Sequence, residues 1–178
     1  MCIRDRYTFF ISPISSTYGI SELFVKATPL ALIAIGLSYC FKNNIYNIGA
    51  EGQLTMGAIF GGGIGILFHD TNAFWLLPLM IFAGAIGGAL WGLIPAILKT
   101  KFNTNEILTS LMLVYVALFI LDYLVVGPWK DPFGYSFPKS RPFSESGRMP
   151  LLFDGLRVHF GLIITCLLYT SDAADEVA

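Results

Sequence analysis

The chain has 178 residues, of which 55% are hydrophobic and only 13% are charged. Because ordinary globular domains carry about 25% charged residues, this chain has too little charge to cover a water-facing surface, and we expect a membrane protein. The 11 basic and 12 acidic residues nearly balance, which excludes a basic nucleic-acid-binding protein, and three cysteines are too few for a disulfide framework.

The two ends of the chain resemble translated sequencing-library adaptor rather than native protein. The opening MCIRDR (residues 1–6) and the closing CLLYTSDAADE with the two residues after it (166–178) match translations of a transposon-end adaptor and of its opposite strand. We exclude both ends from fold reasoning and expect residues 7–165 to be the native part of a truncated transmembrane domain. Cys40 is then the single native cysteine.

Four stretches are apolar enough to form membrane-spanning helices, which need about 20 residues each. Lipid offers the main chain no hydrogen-bond partners, so these stretches must be helical rather than open strands. The sequence predicts an all-α, polytopic transmembrane bundle with about four spans and the start of a fifth. The spans cover residues 23–41, 53–68, 73–98 and 107–127; the second is short, and the fifth begins at Val158.

Basic residues in the short connections predict the orientation of these spans. Lys42, Lys99 and Lys101 fall on one side of the membrane, and the opposite short turn at 69–72 has no Lys or Arg. Short cytoplasmic loops are enriched in Lys and Arg. We therefore expect the lysine side to be cytoplasmic. The proline- and glycine-rich segment 128–157 should face outward as a largely irregular extramembrane loop.

Polar residues interrupt the apolar pattern between the first two spans and before the fourth. Polar side chains at membrane depth are tolerated where they face protein or a cavity, and broken helices of this kind build solute pathways. Two ordinary alternatives stay open: an interfacial loop, and a helix cap with a first-turn acid. The candidate pathway residues are Asn44, Asn47, Glu51, Gln53, Asn105 and Glu106.

Glycines recur every four residues in the second and third spans. Each set forms a stripe without side chains on one helix face, where another helix can approach closely. The stripes predict helix packing or, alternatively, surfaces along which helices slide as the protein changes state. The two sets are Gly57, Gly61 and Gly65, and Gly84, Gly88 and Gly92.

Motifs for catalysis and cofactor binding are missing from the sequence. The glycine run at 61–63 is no phosphate cradle, because no GxxxxGK[ST] pattern surrounds it. His69 and His159 belong to no HExxH motif, and the acids of segment 128–157 lack metal-ligand spacing. We therefore expect no enzyme activity, no cofactor and no metal site.

Three segments of the chain resemble one family of transport proteins: residues 26–53, 88–117 and 127–140. The family comprises inner-membrane permease subunits of bacterial ABC importers for simple sugars, nucleosides and branched-chain amino acids, and the nucleoside branch is the most similar. The most specific parts are NIGAEGQ at 47–53 and NEILTSLML at 105–113. By this resemblance, residues 7–165 are a partial permease domain.

The resemblance implies a multi-pass protein of the bacterial inner membrane that forms part of the solute path for a nucleoside or simple sugar. It also implies a second permease subunit, cytoplasmic ATP-binding subunits, an extracytoplasmic solute-binding protein and bilayer lipid as partners, and no nucleic acid. The family commonly has Asn at the positions of Val114 and Asp122, so no role carries over to either residue. The family's coupling helix lies beyond the matching segments.

Two other interpretations stay open at the level of sequence. A permease for branched-chain amino acids would share the fold, and a neighbouring gene for the solute-binding protein would identify it. A membrane scaffold without a solute path would tolerate neutralisation of the polar segment 47–53.

Overall fold

The computed structural model describes residues 3–71, 73–132, 134, 137–152 and 155–177. Within these residues the chain forms six α-helices, two short 3-10 turns and two isolated antiparallel bridges. The prediction of an all-α membrane protein is thereby confirmed. The helices are α1 (Ile3–Phe10), α2 (Thr17–Lys42), α3 (Ala50–Leu67), α4 (Leu76–Phe102), α5 (Glu106–Val126) and α6 (Gly161–Val177).

Three of the four predicted spans form helices that are long and apolar enough to cross a bilayer. These are α2 with 26 residues, α4 with 27 and α5 with 21. The predicted second span forms α3, which has 18 residues but does not reach that combination of length and hydropathy because its first turn carries Glu51 and Gln53. The predicted fifth span forms α6, whose apolar part is Gly161–Ser171.

The described chain divides into two compact units. The first contains the residues up to Tyr39 and those from Met149 onward. In it, the Arg157 guanidinium donates a hydrogen bond of 2.8 Å to the Glu22 carboxylate. A hydrogen bond with the Tyr18 side chain and the charge of Glu22 raise the pKa of Arg157. The second unit, Cys40–Arg148, contains α3, α4 and α5 and is the one in which the candidate pathway residues lie.

The second unit packs α3 against α4 and α5 around a small apolar core. Met56 and Ile59 of α3 meet Ala117 of α5 there, and five partly buried residues surround them: Trp91, Ile120, Leu121, Leu124 and Trp129. Many large side chains on the other helix faces stay exposed, including Phe119 at 72% and Tyr123 at 73%. An apolar outer surface of this kind suits a lipid environment.

Glycines allow the main chains of α3 and α4 to touch. A Cβ atom placed on Gly57 would lie 2.9 Å from the carbonyl oxygen of Gly84, and one placed on Gly61 would lie 2.8 Å from the carbonyl oxygen of Met80. Main-chain atoms cannot move aside without separating the helices. The two glycine stripes therefore face each other at this crossing, as close-packed small residues do in membrane helices.

The segment between α5 and Arg148 folds back onto α3. Lys130 and Ser140 form an antiparallel bridge. The ring of Trp129 lies 3.2 Å from a Cβ placed on Gly63, and the ring of Phe143 fills the space beside Gly65. Aromatic rings thus pack into the notches that the glycines of α3 leave open.

Candidate functional site

Four helix ends meet at one end of the second unit and line an open cavity of about 660 Å³. They are the last turns of α2 and α4 and the first turns of α3 and α5. The cavity combines an apolar wall with a small set of amides, hydroxyls and one pair of opposite charges. Its lining residues are Cys40, Ile45, Tyr46, Asn47, Gln53, Gly92, Pro95, Ala96, Lys99, Thr100, Asn103, Glu106 and Ser110.

Two asparagines with left-handed backbone end the helices that enter this region. The φ angle of Asn44 is 55° and that of Asn103 is 54°, a conformation that asparagine adopts more readily than most residues with a side chain. The N–H of Ile45 donates to the carbonyl of Cys40 at 3.0 Å, and the N–H of Asn103 donates to the carbonyl of Lys99 at 2.9 Å. The carbonyl groups at the ends of α2 and α4 are thereby satisfied, and the chain turns towards the cavity.

Asparagines also organise the starts of the next two helices. The side-chain oxygen of Asn47 accepts a hydrogen bond of 2.9 Å from the N–H of Gly49, which forms a local turn before α3. The side-chain oxygen of Asn105 accepts a hydrogen bond of 3.0 Å from the N–H of Ile107, so Asn105 is the N-cap of α5. The short polar segments around the cavity are therefore held by their own side chains.

One carboxylate joins three of the segments that line the cavity. Lys99 at the end of α4 donates a hydrogen bond to Glu106 at the start of α5, and the two side chains form an ion pair. The other oxygen of Glu106 accepts a hydrogen bond of 3.2 Å from the main-chain N–H of Tyr46. The Glu106 side chain is only 14% exposed and that of Lys99 is 43% exposed, so the cavity wall carries a compensated pair rather than a net charge.

Three amides in the cavity wall have hydrogen-bonding capacity to spare. The side chains of Gln53 and Asn103 form no hydrogen bond with any part of the chain that the structure describes, and Asn47 uses only its oxygen. The hydroxyl groups of Thr100 and Ser110, in contrast, donate to their own helices: Thr100 to the carbonyl of Ala96, and Ser110 to that of Ile107. The three amides therefore keep N–H donors that a ligand can use.

Half of the candidate pathway residues line the cavity. Asn47, Gln53 and Glu106 come together there from the loop before α3, the first turn of α3 and the first turn of α5. The polar break is shorter than the sequence suggests, because α3 already begins at Ala50. Gln53 is therefore a helical residue rather than part of an unwound segment.

The other three candidates lie outside the cavity lining. Asn44 is exposed at the turn that ends α2, and Asn105 caps α5, which was the alternative role considered for it. Glu51 is exposed on the first turn of α3, where its carbonyl accepts a hydrogen bond from the hydroxyl of Thr55 at 2.9 Å. Among the glycines of the two stripes, Gly92 is the member that lines the cavity.

Sequence patterns alone did not single out the remaining polar lining residues. The pattern around Lys99 predicts only the orientation of the spans, and Asn103 belongs to no motif. Both residues lie in the run from Lys99 to Glu106, in which one helix ends and the next begins within a few residues. This pattern is the one that could have identified them. Tyr46 carried no signal of its own, because the contribution of its main-chain N–H depends on a residue 60 positions away.

Val114, one of the two positions at which the resemblance implies a departure, lies between α3 and α5. Val114 is buried, and its Cα lies 3.0 Å from a Cβ placed on Gly52. An apolar side chain here packs α5 against the first turns of α3. Asp122, the second departure, is exposed on α5.

Comparison with known proteins identifies close relatives among transporter subunits. The chain is 40% identical to a glucose ABC transporter permease protein, TsgB13, of Haloferax volcanii over 83% of this chain and 39% of that protein. It is 33% identical to a guanosine ABC transporter permease protein, NupP, of Bacillus subtilis over 84% of this chain and 43% of that protein. A nucleoside ABC transporter permease protein, NupB, of Lactococcus lactis is also 33% identical, over 65% of this chain and 32% of that protein.

The chain spans about two fifths of the length of the first two of these relatives. No solved structure matches it. Residues 19–171 match the family described as the permease component of the branched-chain amino acid transport system. Together with its three membrane-length helices, this match makes the chain a multi-pass protein of the cell membrane. The resemblance noted in the sequence is thereby confirmed, and the chain belongs to this family of ABC transporter permeases.

Proposed function

We propose that the chain is part of a permease subunit of an ABC importer and contributes the cavity of its second unit to the path of a nucleoside or simple sugar. The observation that carries this proposal is the cavity of about 660 Å³, in whose wall the amides of Gln53 and Asn103 have no hydrogen-bond partner among the described residues. Sites for small molecules commonly measure roughly 300–1,000 Å³. A cavity of this volume can hold a hexose or a nucleoside.

The chemistry of the wall supports an uncharged, polar solute. Amides both donate and accept hydrogen bonds, which suits sugar hydroxyls and the edges of nucleobases equally. Lys99 and Glu106 compensate each other, so neither sign of charge is favoured. Apolar lining residues such as Ile45, Pro95 and Ala96 offer surface to a ring-shaped solute. Relatives named for glucose, guanosine and nucleosides support the same class.

The ion pair between Lys99 and Glu106 argues against the alternative of a branched-chain amino acid as the solute. An amino acid is a zwitterion, and it would have to separate Lys99 from Glu106 to find a partner for each of its charges. The Glu106 carboxylate is engaged by two donors and is mostly buried, so separation would leave buried charge unpaired, which is costly. A neutral solute requires no such separation and is therefore favoured.

A membrane scaffold without a solute path accounts less well for the same cavity. Polar groups at membrane depth are rare and are often functional, and a scaffold does not require an open cavity whose wall presents three amides. The orientation argument adds that Lys99 and Lys101 at this end of α4 favour the cytoplasmic side. We infer that the cavity lies near the cytoplasmic end of the path.

The energy source and solute delivery would come from partner proteins. The chain has no ATP-binding motif, so we propose that it is itself not an enzyme and that cytoplasmic ATP-binding subunits drive it. A second permease subunit would complete the path, and an extracytoplasmic solute-binding protein would deliver solute on the side of segment 128–157. The family match supports association with ATP-binding and solute-binding components.

Uptake of radiolabelled guanosine, glucose and leucine by cells expressing the intact importer tests this function. We expect guanosine or glucose to accumulate and leucine to remain outside. Gln53→Ala should raise KM about 2- to 10-fold, because a neutral hydrogen bond contributes about 0.5–1.5 kcal/mol. Gly36→Ala, on an open face of α2, is the control and should leave uptake unchanged. Accumulation of leucine alone, or of none of the three at normal protein levels, would contradict the proposal.

A further inference from the structure

Gln53 of α3 rests on two glycines of α4 that are one helical turn apart. A Cβ atom placed on Gly88 would lie 3.1 Å from the main-chain carbonyl oxygen of Gln53. A Cβ atom placed on Gly92 would lie 2.8 Å from the side-chain nitrogen of Gln53 and 3.2 Å from its Cδ. Gly88 thus packs against the main chain of Gln53, and Gly92 packs against its side-chain amide.

This contact distinguishes Gly92 from the other glycines of its stripe. Gly84 lies against the main chain of Gly57, which is a packing contact between helices. Gly92 meets a flexible side chain instead, and both Gly92 and Gln53 line the cavity. Any side chain at position 92 must displace the Gln53 amide. The space next to the amide is the cavity, so the displaced amide would move into it.

We propose that Gly92 and Gln53 together determine which solutes the cavity admits. The missing side chain at position 92 lets the amide lie flat against α4, which keeps this part of the cavity wide and presents the amide to the solute. A larger residue at 92 narrows the cavity and redirects the amide, so bulky solutes are excluded before small ones. This inference rests on the proposed role of the cavity in the solute path.

The partnerless amide of Gln53 supports a role in recognition rather than in packing alone. The Gln53 side chain lines an open cavity, where a solute can reach its amide. The Gln53 side chain is half-buried and has no hydrogen-bond partner within the described residues. Its position is therefore set by shape, through Gly92, and its hydrogen-bonding groups stay available to a solute.

The reactivity of Cys40 measures the width of the cavity without any need for transport. The Cys40 thiol lines the cavity and is free, and replacing Cys2 and Cys166 by serine makes it the single cysteine of the chain. Membranes containing this chain are treated with N-ethylmaleimide, which is small, and with fluorescein maleimide, which is bulky. The ratio of the two alkylation rates reports how well each reagent enters.

We expect Gly92→Ala to lower the bulky-to-small rate ratio several-fold, and a second change, Gln53→Ala, to restore it. The matched control is Gly88→Ala, whose new methyl group meets the main chain of residue 53. Removing the Gln53 side chain should therefore not restore a rate ratio that Gly88→Ala has lowered. Gly36→Ala, with no atom within 4 Å of the new Cβ, should leave the ratio unchanged. An unchanged ratio in Gly92→Ala, or equal rescue of Gly88→Ala and Gly92→Ala, would overturn the proposed pair.

Uptake by the intact importer then tests solute selection, with a purine nucleoside and a hexose as probes. Gly92→Ala should raise KM for the nucleoside more than for the hexose, with little change in maximal rate. Equal changes in KM for both would overturn the specificity role even if the thiol results hold. Absence of uptake in the wild type would instead overturn the proposed function, and the Cys40 rates would still show whether the geometric coupling of Gly92 and Gln53 exists.

Discussion

The carboxylate of Glu106 accepts a hydrogen bond of 3.2 Å from the main-chain N–H of Tyr46, although the two residues are 60 positions apart. The same carboxylate pairs with Lys99. These contacts tie the loop before α3 to the turn between α4 and α5. A single side chain therefore holds three walls of the cavity in place, and its removal should loosen the cavity.

Variants of Glu106 separate the two contacts. Glu106→Gln keeps an oxygen for the N–H of Tyr46 but loses the ion pair, whereas Glu106→Ala loses both. We expect the alkylation rate of Cys40 by N-ethylmaleimide to increase from wild type to Glu106→Gln and again to Glu106→Ala. The measurement uses membranes in which Cys40 is the single cysteine.

Lysine variants provide the control for this prediction. Lys99→Gln should accelerate alkylation about as much as Glu106→Gln, since each removes the same ion pair. Lys101→Gln should have no effect, because Lys101 is exposed and lies outside the cavity lining. Equal rates for wild type, Glu106→Gln and Glu106→Ala would show that the carboxylate does not hold the cavity together.

The left-handed backbone of Asn44 leads to a prediction about stability. Its φ of 55° is accessible to glycine, but it costs roughly 1–2 kcal/mol for an ordinary residue with a Cβ atom. We expect Asn44→Gly to keep the midpoint of thermal unfolding in detergent and Asn44→Val to lower it. If valine were tolerated as well as glycine, the turn that ends α2 would not require this conformation.

The contact between α3 and α4 predicts a penalty for any side chain at Gly61. The new Cβ of Gly61→Ala would lie 2.8 Å from the carbonyl oxygen of Met80, and relief requires the helices to separate. Overpacking of this kind typically costs about 1–3 kcal/mol, so the unfolding midpoint should fall. Gly36→Ala is the matched control: its site is open, and alanine is favoured over glycine in a helix by up to about 1 kcal/mol. A fall of equal size in both variants would contradict the close contact.

Local sequence patterns predicted the helices and part of the site because both depend on neighbouring residues. Long, mostly apolar runs mark α2, α4 and α5, and the polar residues around Asn47 and Asn105 mark the loops that meet at the cavity. The start of α3 was harder to predict, since Glu51 and Gln53 are polar yet already helical. Fewer of the predicted polar residues line the cavity than the sequence pattern suggests. Some of them, such as Asn44, form the turns at the helix ends instead.

Contacts between distant segments could not be predicted in this way. The hydrogen bond from Tyr46 to Glu106 requires knowledge of which helix ends meet. Likewise, Gly92 has the same spacing as Gly84 and Gly88, and only the position of the Gln53 side chain distinguishes it. Spacing indicates that a helix face is free of side chains, whereas the neighbour that occupies this face is decided by tertiary packing.

The orientation inferred from the lysines can be tested by cysteine labelling in intact cells. Lys101 lies at the cavity end of the second unit, and Glu145 lies in the 3-10 turn of the segment that folds over α3. Both side chains are exposed. With Cys2, Cys40 and Cys166 replaced by serine, we expect a membrane-impermeant maleimide to label Glu145→Cys and to leave Lys101→Cys unlabelled.

Permeabilised cells provide the control, because both cysteines should then react if both proteins are present at similar levels. The physical reason for the expected difference is the lysine bias of short loops: the cavity end carries Lys99 and Lys101, whereas the short turn at the other end of α3 and α4 has neither Lys nor Arg. Labelling of Lys101→Cys but not of Glu145→Cys in intact cells would invert the orientation. The cavity would then open towards the outside, and its amides would meet the solute at the start of the path rather than near its end.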